Sequence, residues 1–163
     1  MIRVELDDRE VRRTLDELSR RLGDLTPAMH DIGQALVEAI RAHIRDGRDW
    51  QGRPFAPNKP ATLARKKGAK PLVDSGRMAD LSLHFRAGRD FVEVGSSAVQ
   101  AAVLQFGARR GAFGKTRRGA SIPWGNIPPR PFLPIEDGSR LPNDARALVL
   151  TLLTDHLADL NGQ

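Results

Sequence analysis

The chain contains neither cysteine nor tyrosine. Without cysteine it has no disulfides and no thiolate metal sites, a usage that suits a reducing cytoplasm. Trp50, Trp124 and the six phenylalanines are its only aromatic residues, so a platform for stacking bases is poorly supported. No stretch approaches the roughly 20 apolar residues of a membrane span. The opening Met1-Ile2-Arg3-Val4-Glu5-Leu6-Asp7-Asp8 is too charged for a signal peptide. These absences predict a soluble intracellular product with no membrane partner.

A further absence is local. Between Val94 and Ile135 there is no acidic residue, while Arg109, Arg110, Lys115, Arg117, Arg118 and Arg130 all fall there. The stretch closes with the stiff, apolar Ile122-Pro123-Trp124-Gly125-Asn126-Ile127-Pro128-Pro129-Arg130-Pro131-Phe132-Leu133-Pro134. A loop this long without secondary structure is usually functional or disordered. Residues 108–121 are therefore expected to be a flexible basic loop facing DNA or a neighbouring subunit. The feature points to a partner surface that includes polyanion, and away from a catalytic cleft.

A length of 163 residues suits one domain spanning 1–163, with a sizeable core. The net charge of +6 and the pI near 10.7 fit contact with nucleic acid or another acidic surface. Gly47–Val73 holds Arg48, Arg53, Lys59, Arg65, Lys66, Lys67 and Lys70 against Asp49 alone. The C-terminal part carries Glu136, Asp137, Asp144, Asp155 and Asp159 against Arg140 and Arg146. Basic central segments and an acidic tail would let one copy's acidic side meet another copy's basic side; the alternative is that each run is a solvated face.

Ile2-Arg3-Val4-Glu5-Leu6 alternates apolar and charged residues and predicts a half-buried strand. Asp7 or Asp8 would cap the next helix, where Val11, Leu15, Leu18 and Leu22 form one apolar stripe that Gly23 ends. Thr26-Pro27 reads as an N-cap followed by a first-turn proline. Ile32, Leu36, Ile40 and Ile44 make a second stripe, and Gly47 supplies its C-terminal cap. Residues 1–47 thus form an N-terminal helical part. Asp49–Pro60 is expected as a loop, Ala61–Lys67 as a short basic helix, and Leu72–Met78 as a turn into another. Leu81–Arg86 and Phe91–Val94 alternate on either side of Ala87-Gly88-Arg89-Asp90, the best hairpin in the chain. Ala98–Phe106 is predicted helical, capped by Ser96 or Ser97 and ended by Gly107. Pro142 begins a last helix, buried through Leu148, Leu152 and either Leu153 or Leu157. The sum is an α+β domain, a small antiparallel sheet packed against helices with a long basic loop.

Catalytic and cofactor motifs do not fit. Gly114-Lys115-Thr116 looks like the end of a P-loop, but that motif needs glycine where Arg109 stands and a helix after the threonine. Here Arg117-Arg118-Gly119-Ala120-Ser121-Ile122-Pro123 follows. His30 and His43 are thirteen residues apart on one helix, a rotation of roughly 220°, so they do not share a face. Neither they nor His84 and His156 have zinc-ligand spacing. Asp155, His156 and Asp159 read as the polar face of a terminal helix rather than a metal or acid–base cluster. Ser75, in Asp74-Ser75-Gly76, is a turn or cap residue and not a nucleophile elbow. Trp50, Phe55 and Trp124 have proline or glycine neighbours and read as packing anchors in preference to base-stacking groups. No enzyme, metal or cofactor is expected.

The motifs nevertheless come in a recognisable order. Arg53-Pro54-Phe55-Ala56-Pro57 is followed by Thr62-Leu63-Ala64-Arg65-Lys66 and by Leu72-Val73-Asp74-Ser75-Gly76-Arg77-Met78. Then come Val92-Glu93-Val94-Gly95, Gln105-Phe106-Gly107 and Ile127-Pro128-Pro129-Arg130-Pro131-Phe132-Leu133, with Gly111-Ala112-Phe113-Gly114 between the last two. Over roughly residues 47–137 this order resembles the phage virion morphogenesis family, the tail completion proteins of tailed bacteriophages with Mu-like organisation. The helical N-terminal segment also fits that family's layout. Ala101-Ala102-Val103-Leu104 departs from it, standing where tyrosine, alanine and histidine are frequent, and Phe55 stands where tryptophan is frequent.

The resemblance implies a non-enzymatic virion component at the head–tail junction, a ring, most often hexameric, around the channel through which DNA leaves the capsid. Implied partners are further copies of the chain in the virion, with a monomer left open for the isolated subunit, head-connector and tail proteins, and the phage DNA. The place would be the neck or tail of the virion, and the host cytoplasm during assembly. In this reading Arg109, Arg110, Lys115, Arg117 and Arg118 contact DNA or a neighbouring subunit, and Arg65, Lys66, Lys67 and Lys70 form a second basic segment. Trp50, Phe55, Trp124, Arg130, Phe132 and Leu133 are structural anchors, the Pro-Arg-Pro-Phe-Leu run acting as a stiff strap. The alternatives are a non-sequence-specific nucleic-acid-binding module and a tail tube or tail terminator component.

Overall fold

The computed structural model describes residues 9–22, 24–66, 68–73, 77–136 and 140–161. The expected strand at Ile2–Leu6 with its Asp7/Asp8 cap, Gly23, Lys67, the Asp74-Ser75-Gly76 turn and Asp137 lie outside these residues, as do the side chains of Leu18, Leu22, Leu157 and Asp159. Along the chain run α1 (Arg9–Leu22), α2 (Thr26–Asp46), α3 (Pro60–Leu63), α4 (Arg77–Asp80), β1 (Leu83–Ala87), β2 (Val92–Ser96), α5 (Ala101–Phe106) and α6 (Asn143–Asn161). This is the α+β arrangement expected, with a two-stranded antiparallel sheet and a helical N-terminal part.

Helix α2 is the hub, packing against both strands, α4 and α6. Its stripe of Ile32, Leu36, Ile40 and Ile44 is buried as its period requires, widened by Met29 and Val37. Burying each large aliphatic side chain contributes about 1.5–3 kcal/mol, so this one helix supplies much of the core. Gly47 ends it in the left-handed conformation, φ 74°, with its amide on the carbonyls of His43 and Ile44. The start differs from expectation. The cap position is Leu25, which makes no side-chain cap, and Asp24 binds Thr26 instead. The Thr26 hydroxyl donates to the Asp24 carboxylate at 2.7 Å and its amide at 3.0 Å, and these bonds hold that carboxyl below its usual range.

Gly33 lies in the middle of α2, where propensity disfavours glycine. The reason is the ring of Phe85 on β1. A Cβ at Gly33 would fall 2.2 Å from Phe85 Cδ2, so the missing side chain lets the hairpin lie against the helix. His30 meets the same ring edge-on.

The hairpin runs from Leu83 opposite Ser96 to Ala87 opposite Val92. Ser96 therefore belongs to β2 and does not cap α5. It is buried, donates to Ser82 Oγ, and accepts the Ala98 amide. Helix α5 is shorter than expected, with Gln100 at its cap position, and Gly107 ends it as expected. The basic helix expected over Ala61–Lys67 is likewise a single turn, Pro60–Leu63. In α6 the buried line is Ala145, Val149 and Leu153, with Leu148 and Leu152 half-buried at its margin. Helix α1 lies on α6, Val11 and Leu15 facing the core. No helix among the described residues is long and apolar enough to cross a membrane.

Candidate functional site

The segment that carries the basic residues leaves α5 at Gly107 and returns at Ile127. It is a hydrogen-bonded ribbon. Ala108 and Ile127 exchange both backbone bonds at its base, and the Gly111 amide donates to Pro123 O. Phe113 donates to Ile122 O, Ile122 to Gly114 O, and Lys115 bridges Ser121 near the tip. Thr116 and Ala120 close the end through Thr116 N–H to Ala120 O, with the Ala120 amide also on Thr116 Oγ1. A turn, and not a helix, thus follows Gly114-Lys115-Thr116, so the P-loop geometry is missing. Asn126 braces the base, accepting the Arg110 amide on its side chain and the Lys59 ammonium on its carbonyl.

Arg109, Arg110, Lys115, Arg117 and Arg118 are all exposed along this ribbon, outside the core. Among the described residues they make no ion pair. The second basic segment is placed differently. Arg65 and Lys70 are exposed, but the Lys66 ammonium donates to Lys70 O and the Lys70 ammonium to Arg45 O at the end of α2. Two of its cations are thereby engaged on backbone carbonyls of the body. Lys67 lies outside the described residues.

The proline-rich strap returns the ribbon to the body and is held from three sides. Gln105, buried on the inner face of α5, accepts the amides of both Phe132 and Leu133 on its one side-chain oxygen, each at 2.9 Å. Trp50 donates its indole N–H to Phe132 O at 2.9 Å, and its ring stacks at a tilt on His43 of α2. The Arg130 guanidinium reaches back to the loop before α3, giving Nε–H to Ala56 O at 2.7 Å and a terminal N–H to Pro57 O at 2.9 Å. Burial lowers the pKa of Arg130, yet arginine stays charged at any ordinary pH. No carboxylate pairs with it among the described residues; backbone carbonyl dipoles take that place.

Of the residues expected as structural anchors, Trp50, Phe55, Arg130, Phe132 and Leu133 are buried. Trp124 is not one of them. It is 76% exposed, because the ribbon carries it away from the body. Sequence reasoning missed Gln105 and Asp49. Asp49 is buried and accepts the Gln51 and Arg53 amides and the Arg53 guanidinium, shaping the turn that presents Trp50. The available signals were a polar residue between apolar ones in Val103-Leu104-Gln105-Phe106 and a lone acid in a basic run. A shallow cleft between Phe106, Ile127, Pro128 and Pro129 adjoins the ribbon base, with Arg109 at its rim. No three His, Asp or Glu side chains among the described residues converge as metal ligands would.

The arrangement suits contact. It is a braced, cationic ribbon on a clamped base, with no acid or base set against a nucleophile in the cleft. No curated protein and no solved structure matches the chain. One family model does, over residues 6–157, and it describes the phage virion morphogenesis family.

Proposed function

The chain belongs to the phage virion morphogenesis family and so has a structural or assembly role in a bacteriophage virion; from that premise we propose that it is a tail completion subunit at the head–tail junction. Copies form a ring, a hexamer, around the channel through which DNA passes. The protein joins heads to tails by contact and not by catalysis. Its partners are further copies of itself, head-connector and tail proteins, and the DNA.

The observation that carries this reading is the ribbon. Five exposed cations on a clamped two-stranded element, with no acid in the surrounding stretch, suit sequence-independent contact with phosphates. A closed ring needs two different complementary faces per subunit. The ribbon is basic, and α6 carries exposed Asp144 and Asp155.

A double variant, Arg117→Glu with Arg118→Glu, tests it. Both side chains are exposed at the ribbon tip, so folding should be unchanged. Infectious particles should fall, with heads and tails accumulating unjoined or leaking DNA. Full infectivity would remove the ribbon from the functional contact. Light scattering with and without DNA separates the ring reading from the free nucleic-acid-binding module: a ring subunit assembles through its own copies, and the module associates only on DNA.

A further inference from the structure

The two tryptophans of this chain are used in opposite ways. Trp50 is buried, its indole N–H given to Phe132 O and its ring laid on His43. Trp124 is 76% exposed. Among the described residues it has no hydrogen bond, no ring partner and no cation over its face. An indole left in water forgoes the burial for which tryptophan serves a core.

The backbone that presents this ring is nevertheless pinned on both sides. Before it, Pro123 O accepts the Gly111 amide at 3.1 Å. After it, Asn126 accepts the Arg110 amide on its side chain at 2.9 Å and the Lys59 ammonium on its carbonyl at 2.6 Å. The surroundings are cationic. A Cβ at Gly125 would fall 3.2 Å from Lys59 Nζ, and exposed Arg110 lies across the ribbon. The nearest acids along the chain are Glu93 and Glu136.

We propose that Trp124 stacks on an unpaired base of a DNA strand whose phosphates the ribbon's cations hold. This rests on the reading of the ribbon as a DNA contact and names the form of DNA it takes. Bases inside a duplex are stacked on both sides and offer no face to an indole. The ligand is therefore an unpaired stretch, as at a frayed or overhanging DNA end.

Charge and shape select this occupant together. A single strand brings an anion at every phosphate and a planar π face at every nucleotide, whatever its sequence. Those are the two things that an open indole among unpaired cations can use. One indole is not a platform for several bases, which agrees with the scarcity of aromatic residues. It grips one base while the cations grip the backbone.

Three ligands of equal length test this on the full chain at low salt, with binding read by anisotropy. They are a thymine strand of about 12 nucleotides, the same strand with abasic sugars throughout, and a blunt duplex. The parent chain should bind the thymine strand about ten-fold more tightly than the abasic strand. Trp124→Ala should bring the thymine strand down to the abasic level and leave abasic and duplex binding unchanged. Trp124→Phe should keep most of the preference. The thymine strand should quench the tryptophan emission of the parent and not that of Trp124→Ala, which retains only buried Trp50. Equal affinity of the parent for thymine and abasic strands overturns the stacking and leaves the phosphate contact standing; it is measured without any variant. An equal loss on all three ligands in Trp124→Ala does the same. A parent that binds none of the three overturns the DNA contact and the stacking together. A Trp124→Ala chain that binds all three as the parent does, yet leaves heads and tails unjoined, assigns the indole to a protein partner and overturns the proposal.

Discussion

Gln105 is the residue on which the strap most depends. One side-chain oxygen satisfies two buried amides, those of Phe132 and Leu133. Gln105→Ala leaves both without a partner, at about 1–3 kcal/mol for each buried polar group, so a loss of about 2–6 kcal/mol is expected in urea unfolding. A change below about 0.5 kcal/mol would show that the strap is held by its prolines alone. Phe132, fully buried, should cost about 3–5 kcal/mol when cut to alanine. Trp124→Ala should leave the melting temperature where it is, although both residues sit in one proline-studded run. Composition reads them alike, since proline and glycine neighbours suggest a packed aromatic in each case. What separates them is which side of Ile127 they fall on, and that depends on the Ala108–Ile127 pairing, a long-range contact that no local pattern announces. Gln105 was opaque for the same reason, because its partners are far away in sequence.

At the scale of elements, period decided what could be read. The α2 stripe repeats at 3.6 residues and β1 alternates at 2, so those faces were legible in the sequence, whereas β2 is half-buried from Val92 to Val94 and buried at Gly95 and Ser96, without alternation. The α6 face was legible in part: Leu153 is fully buried as expected and Leu148 and Leu152 line its margin, while Ala145 and Val149 went unread because leucines dominate a hydropathy pattern. The ribbon has no period at all. Its form comes from glycines with positive φ at Gly111, Gly114 and Gly119 and from irregular cross-bonds, which in sequence read only as a loop. Two glycines make opposite use of the same freedom from a Cβ. Gly107→Ala should be destabilising, by about 1–3 kcal/mol, since φ is 75° and the new Cβ would fall 2.7 Å from Ile127 O at the ribbon base. Gly33→Ala should also destabilise. In an open helix that change is favourable by about 1 kcal/mol, but here the Phe85 ring occupies the space. Thermal melts of both variants check this, and a gain at Gly33 would mean that Phe85 has room to move.

For the whole molecule, the charge distribution sets a measurable salt dependence. If all five ribbon cations neutralise phosphates, affinity for duplex DNA of any sequence should fall with a log–log salt slope of about −4 to −5. The Arg117→Glu, Arg118→Glu double variant should flatten that slope by about 2. A slope near zero for the parent chain would assign the ribbon to protein contacts alone. The clamp at the ribbon's foot adds a mechanical consequence. A pull on the tip is passed through Ile127 to the strap, where bonds from Gln105, Trp50 and Arg130 meet it together. Those bonds join α5, the Trp50 turn and the loop before α3, so a load on the ribbon is spread over three separate parts of the body. A lever anchored this way should transmit force to the subunit as a whole, with Arg130, the attachment nearest the ribbon, taking the load first.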